Sequence, residues 1–351
     1  MNIAIVEISK SHEECIYTQV KFIKDSGHTI DLILHKALES QINAYRNLAK
    51  NITYITPSQN GFFAKIQQQK SLSKELSNYD LVIFNTASSS KLVRNTLLLL
   101  LFSKVKCVGI LHNSKKLRSS FTQALISLKI KKYFVLNDTI ASLAEPKKGI
   151  KVASFYPIFF PKHCTSKSVS KPDDEIWITI PGRIDWKRRD YWLLISVLKE
   201  NKKLGRIKFI ILGKLDKTSE EGAKFWQLIN ANNLEHYFLL FNTFISNEIY
   251  HSYLTHSNYI MPLLSSNKEY LEFKISGSFN LAFAYKKALL CKSYFNSLTD
   301  LQENAFFYEK EGLYDLLKKI ENNSLKEQTL YEQQKWSYDY QKNKYISFLF
   351  Q

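Results

Sequence analysis

The sequence predicts an α/β protein made of two doubly wound domains. Short apolar runs alternate with helical patterns through most of the 351 residues, as they do where helices connect parallel strands. A polar segment at 162–175, rich in Ser and Lys and containing Pro172, interrupts this alternation. The length suits two domains of roughly 150 to 180 residues. A composition that is 45% apolar is sufficient for two cores.

The first half contains six apolar runs that predict strands, and the segments between them predict helices. Gly27 follows the first predicted helix, where a left-handed residue commonly ends a helix. The predicted strands are 2–8, 29–35, 52–55, 80–85, 106–112 and 132–137, and the predicted helices are 13–26, 38–49, 64–77, 90–103 and 116–129.

The second half repeats the pattern. The predicted strands are 175–182, 207–213, 237–242, 258–262 and 287–291, and the predicted helices are 189–200, 219–232, 246–256 and 276–285. We therefore divide the chain into a first domain at 1–162, a linker at 163–175, a second domain at 176–330 and a C-terminal helical segment at 331–351.

The net charge of +17 is concentrated in the first domain, where 23 Lys and Arg face 10 Asp and Glu. Such a field attracts nucleic acid, anionic lipid or phosphorylated substrates. The alternative is that part of the lysine excess reflects the codon composition of an AT-rich genome. No RNA- or DNA-binding motif is present, so we expect no nucleic-acid partner. The cations cluster around leucines at 90–106 and 116–132, which favours contact with an anionic membrane face.

The cysteines and apolar runs indicate a reduced protein in the cytoplasm, soluble or peripheral on the inner face of the cytoplasmic membrane. The four cysteines lack the spacing of a zinc site. The longest apolar run, 97–102, has six residues, whereas a membrane-spanning helix needs about 20. We expect no metal and no cofactor.

The segment 181–190, PGRIDWKRRD, is the strongest candidate for a ligand site. Gly182 ends a predicted strand, and Arg183, Lys187, Arg188 and Arg189 follow before a predicted helix. Ligands of open α/β sheets bind at the carboxyl ends of strands, and a departing diphosphate needs cations there. A solvated basic helix start is the alternative, but cations oppose the macrodipole at a helix N-terminus, which favours a functional interpretation.

A second candidate is the sequence Ser276-Gly277-Ser278, which follows Lys274 and opens a predicted helix. Its amides and hydroxyls can hold phosphate oxygens, although the same pattern also occurs as an ordinary helix cap.

These segments resemble the donor half of retaining GT-B glycosyltransferases of the family-4-like group. The similarity covers nearly the whole chain. Its motifs are Gly182-Arg183 with Lys187 or Arg188, KFIILG at 208–213, SNE at 246–248, Ser257 to Pro262, AFAYKKALL at 282–290, Gly27-His28 and His112-Asn113. The resemblance implies two Rossmann-like domains that face each other across a cleft. It also implies a last helix that crosses back to the first domain, with Trp336, Tyr340 and Tyr345 packing there.

The resemblance also implies roles for individual residues. His112 would bind a hydroxyl of the donor sugar, although it could equally end a buried strand, and Arg183 and Arg188 would neutralise the diphosphate. The remaining donor-binding candidates are Gly182, Lys187, Asn242, Thr243, Lys274, Ser276, Gly277, Ser278 and Asn280. Many relatives carry a ribose-binding glutamate where this chain has Asn280, which seven residues separate from Glu272, and this difference leaves a non-catalytic relative open.

The reaction implied is transfer of a sugar from a UDP- or GDP-linked donor to a glycan or lipid-linked acceptor. It would proceed with retention and without a metal, in the synthesis of capsule, lipopolysaccharide or a similar bacterial surface polysaccharide. A sugar-nucleotide epimerase is a further alternative, and it would require additional carboxylates and histidines at the site. We interpret His12, Glu13 and Glu14 as solvated loop charges, with an acceptor-side role as the alternative.

Overall fold

The computed structural model describes residues 1–58, 61–88, 90–162, 169–201, 204–326 and 328–351. The chain forms two compact units. The first unit comprises Met1–Lys162, Glu272–Ile275 and Gln334–Gln351, and the second comprises His163–Leu271 and Ser276–Gln333. Residues 163–168 of the predicted linker, including Cys164, lie outside the described residues.

The first unit is built on a seven-stranded parallel sheet with the order β3-β2-β1-β4-β5-β6-β7. Its strands are β1 Asn2–Glu7, β2 Thr29–His35, β3 Asn51–Ile55, β4 Leu81–Phe84, β5 Lys106–Ile110, β6 Lys132–Val135 and β7 Lys151–Ser154. The central strands are mostly apolar because helices cover both faces of a parallel sheet.

The helices of the first unit divide between the two faces of this sheet. They are α1 Ile16–Asp25, α2 Phe62–Leu76, α3 Lys91–Leu99, α4 Lys116–Ser119, α5 Phe121–Lys129 and α6 Asp138–Leu143. One core layer contains buried residues of α1. The other contains those of α2, α3 and α5. Both layers show the burial expected of a doubly wound domain.

The second unit is built on a six-stranded parallel sheet with the order β10-β9-β8-β11-β12-β13. Its strands are β8 Ile176–Pro181, β9 Ile207–Lys214, β10 Phe238–Phe241, β11 Tyr259–Ile260, β12 Ala288–Lys292 and β13 Ala305–Tyr308. The helices between residues 169 and 326 are α7 Tyr191–Glu200, α8 Glu220–Ala231, α9 Asn247–His256, α10 Glu269–Glu272, α11 Gly277–Tyr285, α12 Thr299–Gln302 and α13 Leu313–Glu321.

The last helix, α14 Tyr338–Phe350, belongs to the first unit, which confirms the predicted return of the chain. Tyr345 is fully buried and stacks on Phe134 of β6 with ring centroids 4.5 Å apart. Trp336 packs edge-on against Tyr156, while Tyr340 remains 38% exposed. Tyr345 and Trp336 are therefore the packing residues of this segment.

The predicted helix at 38–49 is wrong. The segment forms turns with two short 3₁₀ helices, Lys36–Leu38 and Arg46–Leu48. Apolar residues recur there at helical spacing, but Ser40, Asn43 and Asn47 are weak helix formers. The predicted helix at 116–129 is also divided in two at Ser120, whose side chain caps α5.

Candidate functional site

Each sheet has one point where the direction of strand addition reverses, and such a point is where open α/β sheets bind ligands. It lies between β1 and β4 in the first unit and between β8 and β11 in the second. The chain that leaves these strands at their carboxyl ends therefore forms the candidate site of each unit.

In the second unit, residues 182–190, here called the cation loop, leave β8 through a close glycine contact. Gly182 has a left-handed backbone with φ of 95°, which favours glycine. A Cβ on Gly213 of β9 would lie 2.6 Å from the carbonyl carbon of Gly182. Both positions therefore need glycine for the ends of β8 and β9 to approach each other.

Arg189 holds this loop in place and is not a free cation. Its side chain is only 7% exposed. Its guanidinium donates to the carbonyl oxygens of Arg183 at 2.7 Å, Pro262 at 3.3 Å and Pro181. Because Pro262 follows β11, one side chain joins the loops on both sides of the reversal point. Of the four cations that the sequence suggested for ligand binding, Arg189 is therefore a structural residue.

The other three cations of the cation loop, Arg183, Lys187 and Arg188, are exposed. The side chain of Arg183 is 81% exposed and lies 3.8 Å from the Asp185 carboxylate. Arg188 Nε donates to the Tyr270 hydroxyl at 2.9 Å. These three cations are therefore accessible from solvent, whereas Arg189 fixes the backbone of the loop.

The sequence predicted that these cations lie in the first turn of a helix and oppose its macrodipole, and that prediction is wrong. Helix α7 begins at Tyr191, so the cations precede it, and Asp190 is its N-cap. The Asp190 carboxylate accepts from the Leu193 amide at 3.1 Å and pairs with Lys292 at 2.5 Å. An acidic cap favours the helix N-terminus, so the loop carries its cations without opposing the helix.

The N-terminus of α11 is capped by its own sequence. Ser276 Oγ accepts from the Ser278 amide at 3.4 Å, as in the ordinary cap. A Cβ on Gly277 would meet nothing within 4 Å, so the fold itself does not require glycine there. Asn280, one turn further, is 5% exposed, and within the described residues its Oδ1 has no hydrogen-bond partner.

Lys274 does not share a unit with the Ser276 to Asn280 candidates. Glu272–Ile275 belongs to the first unit, where the Phe273 carbonyl accepts from the Ser114 amide at 2.9 Å. The Phe273 ring also lies 5.8 Å from the charged groups of both Lys115 and Arg118. The predicted donor-binding residues are therefore divided between the two units.

Asn242 and Thr243 are exposed after β10, the outer strand of the second sheet. Sequence reasoning missed the next residue, Phe244, which is 79% exposed. An aromatic residue directly after a polar pair in a predicted loop was the available signal, because such a ring can stack on a planar ligand.

In the first unit, a buried carboxylate joins the ends of β1 and β4. Glu7 is fully buried. It accepts from the Ser9 amide at 2.8 Å, from Asn85 Nδ2 at 2.7 Å and from the Thr86 hydroxyl at 2.6 Å. Asn85 Oδ1 in turn accepts from Gln19 Nε2 at 2.7 Å. Sequence reasoning missed Glu7, since a single glutamate at the end of an apolar run is a weak signal.

His112 follows β5 and is fixed in one tautomer. Its Nε2 lies 2.8 Å from the carbonyl oxygen of Asn85, which only accepts, so Nε2 carries the proton. The ring stacks on His12 with centroids 3.6 Å apart. Burial, together with the adjacent His12, lowers the pKa of His112 to about 4. Neutral His112 thus presents Nδ1 as an acceptor, which has no partner among the described residues.

In the loop after β1, the interpretation of Glu13 as a solvated charge is wrong. The Tyr45 hydroxyl donates to Glu13 at 2.5 Å, and burial raises the pKa of Glu13 to about 7. His12 Nδ1 lies 3.4 Å from Glu14. Although burial opposes it, this contact raises the pKa of His12. Two histidines and two glutamates therefore gather beside the end of β1.

The described residues contain no group of three or more His, Cys, Asp or Glu that could hold a metal ion. Every helix in the described parts of the chain is too short or too polar to cross a lipid bilayer.

No family model and no curated protein matches the chain, whereas solved structures match it over its full length. HepE of Anabaena in complex with UDP has a TM-score of 0.64 at 14% identity, with 100% of this chain and 96% of that chain covered. A glycosyltransferase from Rickettsia africae has a TM-score of 0.64 at 17% identity, with 99% and 94% covered. The UDP-GlcNAc 2-epimerase of Methanocaldococcus jannaschii has a TM-score of 0.64 at 12% identity, with 99% of each chain covered. The chain therefore has the GT-B fold, with two Rossmann-like domains on parallel sheets of seven and six strands.

Proposed function

We propose that the protein is a glycosyltransferase that takes its sugar from a nucleotide-linked donor, with the diphosphate bound at the cation loop. The observation that carries this proposal is the exposed group Arg183, Lys187 and Arg188 at the reversal point of the second sheet, on a backbone clamped by buried Arg189. Cations held in advance at a fixed position stabilise the charge that develops on a departing diphosphate.

The remaining candidates fit this scheme in separate roles. The amide of Gly277 and the helix dipole of α11 would assist with the phosphates, together with Lys274, Ser276 and Ser278. Asn280 Oδ1 would accept from a ribose hydroxyl, and Asn242 and Thr243 would contact the base. Neutral His112 would accept from a hydroxyl of the donor sugar through Nδ1.

The finer features of the proposal follow from the family-4-like resemblance. The first unit would bind the acceptor, a glycan or lipid-linked glycan of a bacterial surface polysaccharide such as capsule or lipopolysaccharide. The leaving diphosphate would take the proton of the acceptor hydroxyl, and the product would retain the configuration of the donor. Cations would replace a metal ion. We take a UDP-sugar as the first donor to test and a GDP-sugar as the second, since the HepE structures include complexes with UDP and with UDP-glucose.

The test is thermal unfolding of the purified protein with UDP-, GDP-, ADP- and CMP-sugars. We expect one nucleotide class to raise the Tm, and we expect the Arg183→Ala/Arg188→Ala variant to lose that shift. The matched control is Lys199→Ala/Lys319→Ala, which removes two exposed lysines near the C-terminal ends of α7 and α13. A saturating panel without any shift would contradict donor binding. A shift without transfer to any acceptor would identify a non-catalytic sugar-nucleotide-binding protein.

Epimerisation of a sugar nucleotide is a second candidate, favoured by the cluster of His12, Glu13, Glu14 and His112. Glu13, with a pKa near 7, can lose and regain a proton at neutral pH. Epimerisation by proton removal and return would introduce deuterium into UDP-GlcNAc incubated in D₂O without an acceptor. Glycosyl transfer would leave the carbon-bound hydrogens unchanged, so mass spectrometry of the recovered nucleotide separates the two reactions.

A further inference from the structure

The parallel strands of the first sheet all begin at one edge, here called the amino edge. This edge carries a surface that the proposed transfer reaction does not use. We define the amino-edge patch as three apolar residues, Leu99, Phe102 and Leu128, with the eight lysines 104, 106, 129, 131, 132, 147, 148 and 151. Lys106, Lys132 and Lys151 begin the parallel strands β5, β6 and β7, and Lys132 is in register with Lys151. Parallel strands start at one edge, so these lysines lie side by side.

The apolar residues of the patch point into solvent. Phe102 is 100% exposed, Leu128 51% and Leu99 49%, whereas Leu97 and Ile126 on the same helices are buried against the sheet. Helices α3 and α5 pack side by side. Lys129 Nζ donates to the carbonyl oxygen of Ser103 at 2.8 Å, next to Phe102. The exposed apolar side chains therefore lie beside Lys104, Lys129 and Lys131. Lys106, Lys132 and Lys151 continue the basic surface along the starts of the strands toward α14, where Lys132 Nζ donates to the Phe348 carbonyl oxygen at 3.1 Å.

The patch carries one sign of charge. The segments 99–106, 128–132 and 146–151 contain no Asp or Glu. In the described parts of the chain, none of the eight lysines pairs with a carboxylate. Glu145, the adjacent acid in sequence, pairs with Arg118 at 2.8 Å. Burial and the neighbouring ammonium groups of Lys151 and Lys106 lower the pKa of Lys132, as expected where cations crowd together.

We propose that the amino-edge patch docks the protein on an anionic phospholipid surface. Phe102, Leu99 and Leu128 would enter the boundary between head groups and acyl chains, and the lysines would contact the head-group phosphates. Flexible lysine stems can lie along apolar surface while the ammonium groups reach the phosphates.

Two other partners fit the patch less well. Nucleic acid gains nothing from exposed leucines, and the patch contains no arginine for bidentate contacts. A second copy of the chain would bring identical lysines against one another across a two-fold interface, where like charges repel. A bilayer with anionic head groups satisfies both the apolar and the cationic members of the patch.

The experiment is co-sedimentation of the full chain with vesicles of phosphatidylcholine alone and of phosphatidylcholine mixed with phosphatidylglycerol. We expect binding to the mixed vesicles only, weakened by added salt. Lys104→Glu/Lys131→Glu should reduce the partition coefficient about tenfold or more, since each lysine contributes on the order of a fewfold. Phe102→Ser/Leu128→Ser should reduce binding at every salt concentration.

The matched control is Lys65→Glu/Lys70→Glu, which makes the same change in net charge on the exposed side of α2. Equal losses in both charge variants would overturn the proposal, because net charge alone would then explain binding. The proposal would also be overturned if Phe62→Ser/Phe63→Ser weakened vesicle binding and Phe102→Ser/Leu128→Ser did not. Binding to an RNA homopolymer in place of vesicles would overturn it as well. The sugar-nucleotide Tm shift of each variant should match that of the unaltered chain, so this outcome is independent of the proposed transfer.

Discussion

Gly182 determines the course of the cation loop because its position admits no side chain. Its φ of 95° disfavours other residues, and a Cβ there would lie 3.1 Å from the Arg189 guanidinium. We expect Gly182→Ala to lower the free energy of unfolding by about 1–2 kcal/mol or more, through backbone strain and displacement of Arg189. Urea denaturation measures this change.

Gly277→Ala is the matched control. That glycine lies at the start of α11 without a positive φ, and an added Cβ would meet nothing within 4 Å. We expect its free energy of unfolding to change by less than about 1 kcal/mol. Equal losses for the two variants would contradict the role given to Arg189 and Gly182.

Glu13 makes stability depend on pH with a sign opposite to that of an ordinary surface carboxylate. Its folded-state pKa of about 7 lies above its unfolded value, so the folded state binds the proton more tightly. This contribution is fully present below about pH 4.5 and is lost as the pH rises through about 7. Glu13→Gln should therefore gain stability relative to the unaltered chain between pH 5 and pH 8, which Tm values across this range would measure.

His112 has the opposite effect on the pH dependence of stability, because its pKa is lowered to about 4 in the folded state. Its contribution to the free energy of unfolding is present above about pH 6.5 and is lost as the pH falls from there through about 4. Because Glu13→Gln keeps His112, the difference in Tm between the variant and the unaltered chain reports the ionisation of Glu13. A difference in Tm that does not change with pH would show that Glu13 is solvated.

At the scale of elements, α14 is part of the first core although it is the last helix of the chain. Tyr345 is fully buried, stacks on Phe134 and donates from its hydroxyl to Gln19 at 3.1 Å. We expect Tyr345→Ala to cost about 3–5 kcal/mol in the free energy of unfolding, as large aromatic deletions do. Tyr340→Ala, on the same helix but 38% exposed, should cost less than about 1 kcal/mol. Denaturant unfolding distinguishes them, and similar values would place α14 outside the core.

The elements that could be predicted from sequence are those that are apolar on every face or periodic over many residues. Strands β1, β2 and β9 lie where the apolar runs indicated, because a parallel strand covered on both faces is mostly apolar. The edge strands β7 and β13 were missed because each has only four residues, and β7, KVAS at 151–154, is also partly polar.

For the molecule as a whole, the four cations of the cation loop could be recognised in the sequence, but the structural role of Arg189 could not. Arg183, Lys187 and Arg188 stand out by charge alone. Arg189 has the same charge, and its role depends on Pro262, which is 73 residues away and reaches it only in the folded unit. The Glu7 network likewise joins residues 78 and 79 positions apart. Contacts of this range carry no local signal in a single sequence.

The return of residues 334–351 to the first unit has a consequence for synthesis on the ribosome. The segment that supplies Tyr345 is translated after the whole of the second unit, so the first unit cannot complete its core until residues 334–351 have left the ribosome. The second unit, whose residues all precede Lys335, has emerged in full before then and can fold first, against the usual order in which N-terminal domains fold before later ones. Until that segment packs, the parts of Phe134 and Phe155 that Tyr345 covers would be exposed apolar surface of the kind that chaperones bind.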